Sequence, residues 1–230
     1  YEEKLEDTKN AIAAYNEVLT SHGPDAEALR ALGRLYESSE RWVDLLETVQ
    51  MRIDQSDDPT ERAELRYRAS DLMRTRTGDV EKAIRGYEEV LNEIPDHAGA
   101  LADLEAVMSD TTYPHRFEAA RVAQPRYEAA AAYDKLLGVV EVLADIDDPQ
   151  ESLAALRQAA EVAEQGINDP SRAFAYTGRA VRAGLSDPEL ASLFEQYERY
   201  AGDSGKWGEF LTTLKEIAPS IYDGTLQLDV

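Results

Sequence analysis

Residues Asp7 to Leu32 align without a gap with Asp79 to Leu104, an offset of 72 residues. The match pairs Ala11 with Ala83, Ile12 with Ile84, Tyr15 with Tyr87 and Val18 with Val90, then Leu19 with Leu91, Ala26 with Ala98, Leu29 with Leu101 and Leu32 with Leu104. A self-repeating chain distributes its core along an array, because each unit buries its apolar face only against its neighbours. Since 72 is twice 36, one further unit lies between the copies, and a period in the mid-thirties is that of stacked helical hairpins.

The intervening unit, Ala26 to Pro59, carries Leu29, Leu32, Gly33, Tyr36, Trp42, Leu45, Leu46 and Val49 within 34 residues. This ordered set resembles the tetratricopeptide repeat. Leu29, Leu32, Gly33 and Tyr36 fit that family's first helix; Ala83, Tyr87 and Pro95, and likewise Ala11, Tyr15 and Pro24, fit its second. The resemblance implies an all-α, right-handed solenoid of about six hairpins over residues 1–230. It also implies that Gly33 or Ala69 lets two helices approach closely beside an aromatic.

Later copies are more degenerate. Tyr36 and residues 41–54 reappear at an offset of 91 as Tyr127 and residues 132–145, pairing Trp42 with Tyr133, Leu45 with Leu136, Leu46 with Leu137 and Val49 with Val140. A third copy begins at Trp207. Trp42, Tyr133 and Trp207 therefore read as core residues that start second helices. An offset of 91 is about two and a half units, so the register slips between Met108 and Pro125, where Pro114 and Pro125 start or end helices. The clearer repeats span 1–108, an irregular hairpin 109–146 and degenerate repeats 147–219.

Turn residues divide the chain further. Breaks between units fall at 21–25, 55–59, 93–97, 146–149 and 185–188, and tight turns within units at 38–40, 77–79, 168–170 and 202–205. Only Thr225 to Val230 alternates as a strand would, in a segment (220–230) that reads as a tail or the start of a further helix. Tyr1 aligns with Tyr36 at the end of a first helix, so the chain reads as a piece excised from a longer array.

Charge constrains the partners. Forty-six acidic residues against 24 basic give a net charge of -22, a field that repels nucleic acid and anionic membrane surfaces and keeps helix faces solvated. Only six of the basic residues are Lys, which points to coding bias. No apolar run approaches the roughly 18 residues of a membrane span. With no Cys, thiolate nucleophiles, disulfides and cysteine metal sites are excluded. No signal-peptide pattern opens the segment, and the cytoplasm is the default compartment.

Against this background Arg62, Arg66, Ser70 and Arg74, spaced by four, share one face of a first helix. The family register places them on the concave face, with Arg30 and Arg34 of the preceding first helix pointing into the same groove. Guanidinium forks suit carboxylates and phosphates, so an acidic segment or a chain-terminal carboxylate is the expected ligand. The Lys and Asn set of the chaperone-binding carboxylate clamp is absent. The alternative is ordinary helix-surface pairing of Arg62 with Asp58, Arg34 with Glu37 and Arg74 with Asp71. Further along, the inner positions become Arg157 and Glu161, then Glu195 and Arg199, a change to mixed sign.

Nothing else in the chain nominates chemistry. His22, His97 and His115 lie in breaks and lack metal-ligand spacing. Asp145, Asp147 and Asp148 begin like a calcium loop, but Pro149 and Leu156 break that pattern, leaving a helix break and cap. No phosphate loop or nucleophile elbow occurs. These readings describe a non-catalytic scaffold, without cofactor or metal, that binds a protein or peptide in its concave groove. The alternatives are a spacer that self-associates through open repeat ends, or an accessory region of an enzyme whose catalytic domain lies elsewhere.

Overall fold

The computed structural model describes residues 8–221, which are helical apart from short turns and include no strand. The tail expectation for 222–230 and the alignment of Tyr1 lie outside the described residues. Twelve α-helices follow one another: α1 Thr8–His22, α2 Ala26–Ser38, α3 Trp42–Gln55, α4 Pro59–Leu72, α5 Val80–Glu93 and α6 Ala98–Ser109, then α7 Arg116–Ala129, α8 Tyr133–Leu143, α9 Pro149–Glu161, α10 Pro170–Ala183, α11 Leu190–Ser204 and α12 Trp207–Ile217. The contacts between them divide into two compact units at Ser109/Asp110. Within each unit every helix packs on the next, the arrangement of stacked helical hairpins.

Part of the acidic excess starts these helices. Asp25, Asp58, Asp79, Asp148 and Asp169 each precede a helix and accept a hydrogen bond from a backbone N–H of its first turn. Such a cap is worth about 1 kcal/mol, and the carboxylate also meets the positive end of the helix dipole. Three of the five are followed by Pro at the first helical position, where its missing N–H costs nothing.

Hairpins close by one device in two lengths. After α2, α7 and α11 a residue in the left-handed region (Glu40 at φ 55°, Ala131 at 50°, Gly205 at 70°) turns the chain. The next N–H then returns to a helix carbonyl: Arg41 to Tyr36 at 2.8 Å, Ala132 to Tyr127 at 3.0 Å and Lys206 to Ala201 at 2.9 Å. This is the Schellman closure. After α4 and α9 the last turn widens into a π turn, Met73–Thr77 and Val162–Gly166. Gly78 and Asn168 make the reversal there, and Asp79 and Asp169 reach one residue further back, to Met73 and Ala163.

These closures reveal a longer internal period than the 72-residue match. Tyr36 and Tyr127 stand 91 apart before identical turns, and Asp58-Pro59 and Asp148-Pro149, then Gly78-Asp79 and Asn168-Asp169, stand 90 apart. The run α2–α5 of the first unit thus recurs as α7–α10 in the second. The register slip is confined to residues 110–115, and α7 runs through Pro125 rather than ending there. Pro125 occupies an exposed position of that helix, the counterpart of exposed Arg34.

In the first unit Leu32, Leu35, Tyr36, Leu45, Val49 and Leu65 form a continuous core from α2 to α4, with Ile12 of α1 joining it. Each such side chain contributes about 1.5–3 kcal/mol of burial. In the second, Leu136, Val140, Leu156 and Ala159 are buried, and Phe174 stacks on Tyr197 at 4.6 Å while Phe210 packs tilted against Tyr197 at 5.1 Å.

Two expectations about packing are corrected. Tyr133 and Trp207 are exposed (41% and 46%), whereas Trp42 is half-buried and packs against the first unit's core. As first residues of their helices they sit at hairpin tips, where Trp42 receives Arg76 at 4.9 Å and Trp207 meets Phe210 edge-on. Gly33 is not a close-approach glycine either, since a Cβ there would be 3.8 Å from Leu45, an ordinary contact. Close approaches occur at other glycines, among them Gly86 beside Ser70 and Gly178, where a Cβ would come within 2.9 Å of the Tyr197 hydroxyl.

Candidate functional site

In the second unit the first helices α9 and α11 lie side by side and enclose a cavity of about 340 Å³. From α9 come Arg157 and Glu161, one turn apart. The π turn that follows carries Glu164 and Gln165 on the same side, three and four residues after Glu161. From α11 and the residue before it come Glu189, Ser192, Gln196, Arg199 and Tyr200, spaced by three and four as one helix face requires.

Charge pairs cross the cavity. Arg157 donates to Asp187 at 2.8 Å and to Glu189 at 2.9 Å. Arg199 donates through both terminal nitrogens to the Glu164 carboxylate, which also accepts the Tyr200 hydroxyl at 2.5 Å. The Arg199 hydrogen bond, followed by that of Tyr200, holds the Glu164 carboxyl below the ordinary range against a smaller opposing effect of burial. Burial and then the bond to Glu164 push the Tyr200 phenol up to about 12. Both shifts move away from neutrality, so neither group changes its protonation near pH 7. Glu161 is exposed and has no partner among the described residues, and the walls carry three carboxylates against two guanidiniums.

Arg157, Glu161 and Arg199, three of the residues singled out by sequence, thus meet in one cavity; Glu195 is exposed on α11 outside it. Glu164 and Gln165 stand three and four residues after Glu161, so helical spacing alone places them on its face, although no residue type announces the π turn that carries them. On α11 the spacing from Arg199 back to Gln196 and Ser192 was legible.

The first unit disperses the arginine stripe. Arg62 donates to the Ser56 carbonyl at 3.0 Å, not to Asp58. Arg66 pairs with Glu89 at 3.3 Å and with Glu93 on α5. Ser70 is buried and donates to the Arg66 carbonyl. Arg74, on the π turn, reaches Asp103 of α6 at 2.7 Å, Asp71 at 3.2 Å and the Tyr87 hydroxyl at 3.2 Å. Arg30 and Arg34 are exposed on α2 with no described partner, because Glu37 is taken by Arg68 at 2.8 Å. Arg66 and Ser70 line a cavity between α3, α4 and α5; Arg30, Arg34, Arg62 and Arg74 do not. The preference for Arg has a structural use, since Arg66, Arg68, Arg74, Arg157 and Arg199 all form ion pairs that bridge helices, whereas the ion pairs of Lys82 and Lys206 go to Asp79 and Glu209 three residues away.

Of the remaining residues, His97 accepts the Ala100 N–H through Nδ1 at 3.0 Å, capping α6, and His115 contacts Glu118 at 2.8 Å. Asp148 caps α9, and Asp145 pairs with Arg116 and Arg179. Among the described residues no group of three metal-ligating side chains converges, and no helix is long and apolar enough to cross a membrane.

No protein-family model matches the chain, and no curated protein matches it. The crystal structure of BtubC (BKLC) from P. vanneervenii is similar over 91% of this chain and 86% of that one, at 12% identity and a TM-score of 0.34. A likeness at that level carries no argument about either fold or function.

Proposed function

We propose that the chain is a non-catalytic, tetratricopeptide-like scaffold that binds a polar peptide or helix of another protein along α9 and α11. The observation that supports this is the cavity of the second unit, whose donors and acceptors are satisfied mainly by one another across two first helices. A partner segment can exchange bonds with such a surface without leaving buried charges unpaired. Three carboxylates against two guanidiniums, in a protein of net charge -22, favour a segment with basic residues.

The test is site-specific photocrosslinking of the full chain in its native cell. A crosslinker at Gln196 inside the cavity should capture a discrete protein, and one at Glu81 on α5 should not. Arg157→Glu with Arg199→Glu should remove the Gln196 product. Identical products from both positions, or no change on charge reversal, would rule the reading out.

The spacer reading draws on a separate observation. Val18 of α1 is 37% exposed, whereas its repeat mate Val90 is fully buried, so α1 keeps an open apolar edge. Sedimentation equilibrium that returns a monomer at high concentration would eliminate association through that edge.

A further inference from the structure

The internal duplication supplies its own control for the groove between second helices. Gly86 of α5 corresponds to Tyr176 of α10 at the 90-residue offset, and Gln50 of α3 to Glu141 of α8 at 91. In the second unit Tyr176 is only 6% exposed and donates its hydroxyl to the Glu141 carboxylate, so a phenol spans from α10 to α8. In the first unit position 86 has no side chain, and a cavity of about 400 Å³ opens between α3, α4 and α5. Ile53, Ala69, Met73 and Gly86 supply its apolar lining; Gln50 and Lys82 stand among its polar residues.

Gly86 is not there for a turn. It lies inside α5 in ordinary helical conformation, where glycine costs roughly 0.5–1 kcal/mol relative to alanine. What excludes a side chain is Ser70, whose buried hydroxyl a Cβ at position 86 would strike. The counterpart of Ser70 is Ala160, which leaves Tyr176 its room. Ser70 and Gly86 together therefore keep open the place that Ala160 and Tyr176 close.

The acceptor is also retained. Gln50 donates its amide nitrogen to Asp54 at 2.8 Å, and its amide oxygen has no partner among the described residues. That oxygen belongs to the side chain that replaces Glu141, the acceptor of the Tyr176 hydroxyl in the second unit.

We infer that the α3–α4–α5 groove is a docking site for a tyrosine side chain presented by a partner protein, which takes in the first unit the place that Tyr176 holds in the second. This site is formed by two second helices and the first helix between them, and is separate from the α9–α11 cavity.

The tyrosine side chain as a free molecule, p-cresol, is the first probe. Titrated into the isotope-labelled chain, it should give saturable amide shifts at Ser70, Met73 and Gly86, with nuclear Overhauser contacts from its ring to the Ile53 and Met73 methyls. In the double variant Ser70→Ala, Gly86→Tyr, which rebuilds the second unit's arrangement, binding should weaken by at least about tenfold. Ser70→Ala alone should retain it. Absence of saturable shifts, or undiminished binding in a folded double variant, overturns the inference; the contacts in the unaltered chain decide the matter if that variant does not fold. A photocrosslinker at Lys82 in the full chain then identifies the natural occupant. A crosslinked protein segment with tyrosine at the junction supports the assignment. A segment without it, a non-protein adduct or no adduct overturns it.

Discussion

The runs α2–α5 and α7–α10 share turns, caps, π widening and part of their core, with Tyr36, Leu45, Val49, Ala69 and Ala83 matched by Tyr127, Leu136, Val140, Ala159 and Ala173, but the rest of the core differs. Leu29 and Leu32 of α2 become Ala120 and Ala123 of α7, and Tyr87, Val90 and Leu91 of α5 become Thr177, Ala180 and Val181 of α10. The volume lost along that face is supplied elsewhere, by Phe174, Tyr197 and Phe210. Even the bridge to the following first helix changes sign: the π turn projects Arg74 toward Asp103 in one unit and Glu164 toward Arg199 in the other. Backbone closure is thus kept while side-chain volume and charge are redistributed, as expected where hydrogen-bonded hairpin ends, rather than a particular set of core residues, set the stacking.

Three tests probe that contrast. The largest effect should come from Tyr87→Ala, which empties a fully buried position and removes a partner of Arg74. A loss of about 3–5 kcal/mol is expected in the first unit. Thr177→Ala at the matching place should cost about 1 kcal/mol, for a lost hydrogen bond to the Ala173 carbonyl. Hydrogen exchange read unit by unit measures both, and equal losses would refute the redistribution of volume.

Glycines give the next effect. Gly178→Ala should destabilise by about 1–3 kcal/mol through its collision with Tyr197. Gly33→Ala should be neutral or stabilise by up to about 1 kcal/mol, because its space is free and the helix gains propensity. Thermal melts of the pair reverse the comparison if the repeat-family role of Gly33 holds instead.

The smallest effect concerns the reversed ion pair. Glu164 titrates below its ordinary value in the folded chain, so its contribution is complete above the unfolded value of about 4.3 and is lost as pH falls through the lower folded value. Arg199 is half exposed, which limits the pair to about 0.5–1 kcal/mol. Glu164→Gln should lower the second unit's stability at neutral pH by that amount and flatten its decline on acidification below about pH 4. Denaturant midpoints between pH 3 and 7 would show it, and a parallel displacement of both profiles would contradict it.

The sequence carried the hairpin pattern because Pro, Gly and Asp mark most reversals, and the 72-residue match survives in α1–α2 and α5–α6. Ala130 to Ala132 was silent, since an alanine in the left-handed region leaves no compositional trace. The 90-residue duplication was half visible: α3 and α8 match in large apolar residues, but many of those on α2 and α5 have smaller counterparts on α7 and α10. For the α9–α11 cavity, Arg157, Glu161 and Arg199 were legible from helical spacing, and Glu164, three residues after Glu161, follows the same spacing; its pairing with Arg199 and Tyr200 of α11 is what one helix's period cannot show. The arginine stripe looked continuous along one helix, yet α5 and α6 supply the acids that take up Arg66 and Arg74.

The widened turns at Met73–Thr77 and Val162–Gly166 bear on how such an array can change over generations. A π turn takes up one inserted residue inside the helix end, so the cap and the packed face that follow keep their places. Length can therefore drift one residue at a time at hairpin tips while neighbouring hairpins remain interchangeable, which makes these ends natural splice points for recombining units.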